Sequence, residues 1–78
     1  MPVIEPDEEL DCRGLSCPLP VLKAKKAMQR LAPGKILKVT ATDPGSPRDM
    51  EKLSVQTGDE LIEKEENFGE FIFYFRKS

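Results

Sequence analysis

Two prolines flank a single leucine at positions 18 to 20, directly after Cys17 and directly before a stretch with helical spacing. Proline has a fixed φ and no backbone N–H, so a helix accepts it in the first turn and rejects it further in. Pro18 and Pro20 therefore pin the start of a helix. Beyond them, Val21, Ala24, Met28 and Leu31 recur at spacings of three and four, which makes one buried face, and Ala32-Pro33-Gly34 ends the segment. Glu9 to Cys12 reads as a short strand, and Lys35 to Thr42 alternates, with Leu37, Val39 and Ala41 on one side. Strand, helix and strand in so short a space imply a parallel pair joined by a crossover helix.

The remainder continues the alternation. Asp43-Pro44-Gly45 is a turn, and Ser46-Pro47-Arg48-Asp49 reads as a capping box, with Ser46 as the cap and Asp49 reaching back. A second helix then runs to about Thr57, closed by Gly58, with Met50, Leu53 and Thr57 inward. Glu60 to Glu65 and Glu70 to Arg76 form a terminal hairpin around Asn67-Phe68-Gly69. In its last strand Phe71, Phe73 and Phe75 share one face and are assigned to the core beneath the helices; Ile72 and Tyr74 share the other. With 78 residues, the chain is expected to be one domain spanning 1–78. At that size only about 60% of the unfolded surface is buried, which leaves little room for a large catalytic cleft. Residues 1–8, with Pro2, Pro6 and several acids, are expected to form a flexible tail. No apolar run is long enough for a membrane span and no signal-peptide pattern is present, so a cytoplasmic protein without membrane contact is expected.

Cys17 is the candidate reactive group. Placed over the positive end of a helix, its ionised form is favoured. The effect is modest: with Cys17 as the N-cap, Pro18 and Pro20 offer no N–H, and Leu19 carries the only obvious donor in the first three positions. A moderately reactive thiol follows. A persulfide is more acidic than a thiol, so the same field would keep a Cys17 persulfide anionic at neutral pH, which suits a carrier better than a hydrolase. The plainer reading is a small apolar residue capping a helix. Cys12 shares strand parity with Leu10 and is expected in the core, while Asp11 and Arg13 face outward. The spacing of the two cysteines does not match Cys-Xaa-Xaa-Cys, yet a Cys12/Cys17 thiol–disulfide switch stays open as a second reading. With no histidine and two cysteines, a structural zinc site of the usual kind cannot be assembled. No cofactor motif or Gly-rich phosphate loop is visible either, so no cofactor or metal is expected.

Charge is unevenly placed. The formal net charge is -2, yet between Cys12 and Lys38 the basic residues are Arg13, Lys23, Lys25, Lys26, Arg30, Lys35 and Lys38, with no acid. Lys23, Lys26 and Arg30 form one stripe away from the buried face. They are either a solvated helix surface or a docking surface for acidic partner proteins. Direct nucleic-acid binding does not fit the acidic overall balance. Leu19 and Leu22 lie outward near the Cys17 end, as ordinary exposed leucines or as an apolar anchor for partners. A non-catalytic interaction or regulatory module would use the same basic helix without needing the thiol.

The run Leu-Asp-Cys-Arg-Gly-Leu-Ser-Cys-Pro-Leu-Pro-Val-Leu-Lys-Ala-Lys-Lys from Leu10 resembles the signature of the TusA-like (SirA-like) sulfur carriers. Cys-Pro-Xaa-Pro alone is weak; with Asp11, Gly14, Leu15 and the Lys/Ala helix it is strong. The likeness continues through Gly34, Ile36 to Thr42, Asp43 and the aromatic last strand. It implies an α+β two-layer sandwich in the order β-α-β-α-β-β, with a mixed four-stranded sheet and two helices on one face. It also implies a monomeric persulfide sulfurtransferase acting as a carrier: Cys17 accepts sulfur from a donor of the cysteine desulfurase or rhodanese type and passes it to an acceptor protein. The pathways open to it are tRNA thiolation, cofactor sulfuration and sulfur oxidation. Asp11, Arg13, Gly14, Pro18 and Pro20 would support the motif. One departure is Asp59, where many members associated with tRNA thiolation carry a histidine after the glycine ending the second helix.

Overall fold

The computed structural model describes residues 4–78. Its elements run β1 (Glu8–Cys12), α1 (Leu19–Arg30), β2 (Ile36–Ala41), α2 (Ser46–Thr57), β3 (Glu60–Asn67) and β4 (Glu70–Arg76). The sheet order is β1-β2-β4-β3, with β1 parallel to β2 and β4 antiparallel to both of its neighbours. It follows that β3 runs parallel to β2 and that α2, like α1, is a crossover between parallel strands.

The alternation anticipated from sequence decides which face is covered. Cys12, Leu37, Val39, Ala41, Phe73 and Phe75 point to the helices and are at most 1% exposed. Ala24, Ala27 and Met28 of α1 and Met50 and Leu53 of α2 close the core from the other side. Small alanines at the contact face let α1 lie close to the sheet, while the phenylalanines fill the space beneath. Val21, Leu31, Leu61 and Phe71 pack half-buried around this centre.

The hairpin is tighter than the sequence indicated. β3 extends to Asn67, leaving only Phe68 and Gly69 in the turn. Both have positive φ, 49° and 84°, as a type I′ turn requires. A bulge between Leu61 and Glu63 lets β3 shed one residue against β4.

Two local expectations are corrected. The tail anticipated over residues 1–8 is fixed from Asp7: its N–H donates to the Ile36 carbonyl at 2.8 Å and its carboxylate accepts the Ile36 N–H at 2.8 Å. Glu8 is already in β1, so register with β2 overrides the polar composition of this stretch; residues 1–3 lie outside the described residues. The second correction is the capping box. Gly45, not Ser46, is the N-cap of α2, and no side chain caps it. The Asp43 carboxylate instead accepts the Gly45 N–H at 2.9 Å, which closes the loop before the helix begins. Ser46 is thereby drawn into the first helical turn and buried, its hydroxyl without a hydrogen-bond partner.

Asp59, the departure noted in the sequence, is a structural anchor. Its carboxylate accepts the N–H of Ser78 at 2.9 Å and the Ser78 hydroxyl at 3.0 Å. Burial would raise its pKa, but the Ser78 and Thr57 hydrogen bonds outweigh that and hold the group below its ordinary value. No helix among the described residues is long and apolar enough to cross a membrane.

Removing an unpartnered buried hydroxyl relieves a desolvation penalty and forfeits no bond. The Ser46→Ala protein should therefore be as stable as wild type or up to about 1 kcal/mol more stable in urea unfolding; a loss of 1 kcal/mol or more would show that the hydroxyl has a partner in solution.

Candidate functional site

Register places the functional loops together. Cys12 ends β1 opposite Ala41, the last residue of β2; Ala41 faces Phe71 near the start of β4, and Phe71 faces Glu66 near the end of β3. The β1–α1 loop, the β2–α2 loop and the hairpin tip all leave the sheet at this one end. Cys17 sits there, in front of α1 and beside the first turn of α2.

The β1–α1 loop is shaped by local bonds. Gly14 has φ 80° and donates its N–H to the Thr42 hydroxyl at 2.9 Å, a conformation for which glycine is suited. Asp11 and Arg13 pair through both guanidinium contacts, at 2.9 and 3.0 Å, and the Arg13 N–H adds a third bond at 3.0 Å. These bonds hold the Asp11 carboxyl down to about 2. Arg13 also lies 3.7 Å from Glu70, so the pair fastens the exit of β1 to the start of β4. Both side chains are exposed, and they brace the motif from outside the core.

The helix start differs from the sequence reading by one residue. Pro18 is the N-cap, Pro20 stands within the first turn, and Cys17 lies one position before the cap; the Cys17–Pro18 peptide is cis. The Leu19 N–H, anticipated as the one donor for the thiolate, is taken by the Ser16 carbonyl at 2.9 Å. The thiol makes a different bond. It donates to Asp49 Oδ2 on α2 at 2.8 Å. This contact pushes the Cys17 pKa up; partial desolvation and the charges of Asp49 and Asp43 add to it, and Lys52 opposes it. The expected mild lowering is thus reversed. An N-terminal helix field is weak, whereas a carboxylate accepting the S–H bond acts directly on the protonated form.

Asp49 is the residue that sequence reasoning missed. It lies 32 positions from Cys17, and its place three residues after Ser46 gave it a local explanation. The surroundings of the thiol are accordingly mixed. The acid-free segment from Cys12 to Lys38 meets Asp43 and Asp49 across the loop, so the positive environment anticipated for Cys17 is confined to its own helix.

On α1, Leu19 and Leu22 are 44% and 50% exposed, and Lys23 and Lys26 are exposed beside them. Arg30 belongs to a different structure: it bonds Glu8 at 3.0 Å and ties the far end of the helix to β1. The cysteines are unlike each other. Both are free, but Cys17 is exposed and Cys12 is completely buried, and burial pushes the Cys12 thiol up. No group of three metal-ligating side chains forms among the described residues. In the native protein a thiol reagent such as 5,5′-dithiobis(2-nitrobenzoate) should titrate one group, lost in Cys17→Ser, while Cys12 reacts only at the rate of unfolding. Rapid reaction of two thiols would contradict the placement of Cys12.

Comparison with known proteins gives the family. The family profile described as Sulfurtransferase TusA matches residues 8–77. The chain is 50% identical over 72 residues to the sulfur carrier protein TusA of Allochromatium vinosum, covering 92% of this chain and 95% of that protein. It is 45% identical over 71 residues to that of Pseudomonas paraeruginosa, covering 91% and 90%. Among solved structures, a SirA-like protein from Desulfitobacterium hafniense superposes with a TM-score of 0.78 at 27% identity, covering 88% of this chain and 95% of that one. The chain belongs to the TusA sulfurtransferase family.

Proposed function

We propose that this protein is a sulfur carrier that takes up one sulfur atom as a persulfide on Cys17 and hands it to an acceptor protein. The observation that supports this reading best is an exposed thiol held at 2.8 Å by a carboxylate, with no histidine in the chain to act as a general base. Such a site lacks the machinery to make reactive sulfur. It has what is needed to receive and release it.

The exchange balances without a further reagent. The Cys17 thiolate attacks the outer sulfur of a donor persulfide, the donor's sulfur–sulfur bond breaks, and the donor departs as a thiol with one proton. Cys17 then carries the terminal sulfur. An acceptor thiolate attacks that sulfur in turn, and the released Cys17 thiolate regains a proton and its bond to Asp49. In the empty state the carboxylate favours the protonated thiol, which limits attack on unintended electrophiles. In the loaded state the S–H donor is gone, and repulsion from Asp49 and Asp43 turns the anionic terminal sulfur toward the surface.

A donor of the cysteine desulfurase or rhodanese type fits this chemistry. Leu19 and Leu22 supply an apolar contact beside Cys17, and Lys23 and Lys26 orient an acidic patch on that donor. Arg30, engaged with Glu8, has no part in that surface. The carrier acts as a monomer in the cytoplasm, where both thiols stay reduced. The depth of Cys12 and the exposure of Cys17 weigh against a disulfide switch between them, and a thiol-independent module would not need the contact to Asp49.

The test is intact-protein mass spectrometry after exposure to inorganic polysulfide, followed by removal of the excess. Wild type and Cys12→Ser should gain one reducible sulfur and Cys17→Ser none. An adduct retained in Cys17→Ser, or an oxidised Cys12–Cys17 bridge in place of an adduct, would overturn the proposal.

A further inference from the structure

The tip of the β3–β4 hairpin carries a residue that folding does not explain. Phe68 is fully exposed, and its φ of 49° lies in the left-handed region. Side chains with a Cβ are disfavoured there, and Asn or Gly is the usual occupant of the first position of such a turn. The turn thus places a bulky aromatic ring in an unsuitable backbone conformation and buries none of it. Strain without compensating burial points to a contact outside the chain.

Its position indicates where that contact lies. The tip leaves the sheet at the end where the Cys17 loop also leaves, as the pairing of Cys12 with Ala41, Ala41 with Phe71 and Phe71 with Glu66 requires. From β1 to β3 the sheet is three strand spacings wide, roughly 14 Å. A partner protein of ordinary footprint, about 800 Å² on each side, reaches both. Charge narrows the partner further. Glu65 and Glu66 lead into the tip, and Glu70, 3.7 Å from Arg13, follows it; the two acids facing solvent before the tip disfavour an anionic membrane and suit a protein surface with basic residues around an apolar socket.

We infer that Phe68 is a second anchoring point for the protein that delivers sulfur to Cys17, inserting into an apolar socket rimmed by basic side chains. This rests on the carrier function proposed above. The ring fixes one side of the complex while Leu19 and Leu22 fix the other, and Cys17 lies within the span. Docking at two separated points restricts rotation of the partner and holds its persulfide in line with the thiol.

The test compares wild type with Phe68→Asn, a substitution that suits the turn. The variant should melt at or above the wild-type temperature, which separates a docking role from a folding one. Sulfur loading is followed by mass from three sources: inorganic polysulfide, a cysteine desulfurase supplied with cysteine, and a rhodanese supplied with thiosulfate. The expected result is loading from polysulfide at the wild-type rate and about tenfold slower loading from a protein donor, the scale of a lost aromatic anchor. Equal rates from every donor that loads wild type would overturn the inference, as would slowing from polysulfide or failure of both protein donors to load wild type. Binding of wild type but not Phe68→Asn to phosphatidylserine vesicles would overturn it in favour of a lipid surface. Failure of polysulfide to load wild type would instead strike the carrier function.

Discussion

The parallel pairing of β1 with β2 is the constraint on which this protein is built. Strands that run in the same direction deliver their following loops to the same end of the sheet, so α1 and α2 both begin there. The two helix starts are neighbours although Cys17 and Asp49 are far apart in the chain. Buried Cys12, Leu37, Val39 and Ala41 fix the register, and a slip of one residue in either strand would turn that strand's buried side chains to the open face of the sheet. The core thus sets the geometry of the surface site, which itself contains almost no buried group.

What results is a thiol governed more by a carboxylate than by a helix. The prolines that define the start of α1 also remove the N–H groups that would have stabilised a thiolate, and the remaining Leu19 N–H closes the preceding turn. Asp49 then holds the proton on the sulfur. For a nucleophile that must turn over rapidly this arrangement would be a handicap. A carrier has a different requirement: it must stay quiet when empty and present its cargo when loaded. On the proposed function the same carboxylate would serve both, because it attracts an S–H group and would repel an anionic terminal sulfur.

Much of this fold was readable along the chain. Period-two alternation in Ile36–Ala41 and the Phe71, Phe73, Phe75 series, period-three-and-four spacing in α1, and proline and glycine punctuation each act locally, and each found its counterpart in the structure. The position of Cys17 was legible for the same reason. Its electrostatic surroundings were not. Asp49 had a plausible local role as a capping residue, and nothing in the spacing Ser46 to Asp49 signals that the loop would be closed by Asp43 instead. Arg30 lay on the same helical stripe as Lys23 and Lys26, but its partner Glu8 comes from a strand that the sequence reading began one residue later. The strain at Phe68 depends on whether the hairpin loop has two residues or three, a distinction that composition does not make.

Whether Asp49 keeps the empty Cys17 protonated is decided by following the Cys17 ¹³Cβ chemical shift through a pH titration of wild type and Asp49→Asn. The wild-type midpoint should lie above the ordinary thiol value and fall when the carboxylate becomes an amide, because the carboxylate accepting the S–H bond favours the protonated thiol. A wild-type midpoint below the ordinary thiol value, or one that does not move in Asp49→Asn, would contradict it.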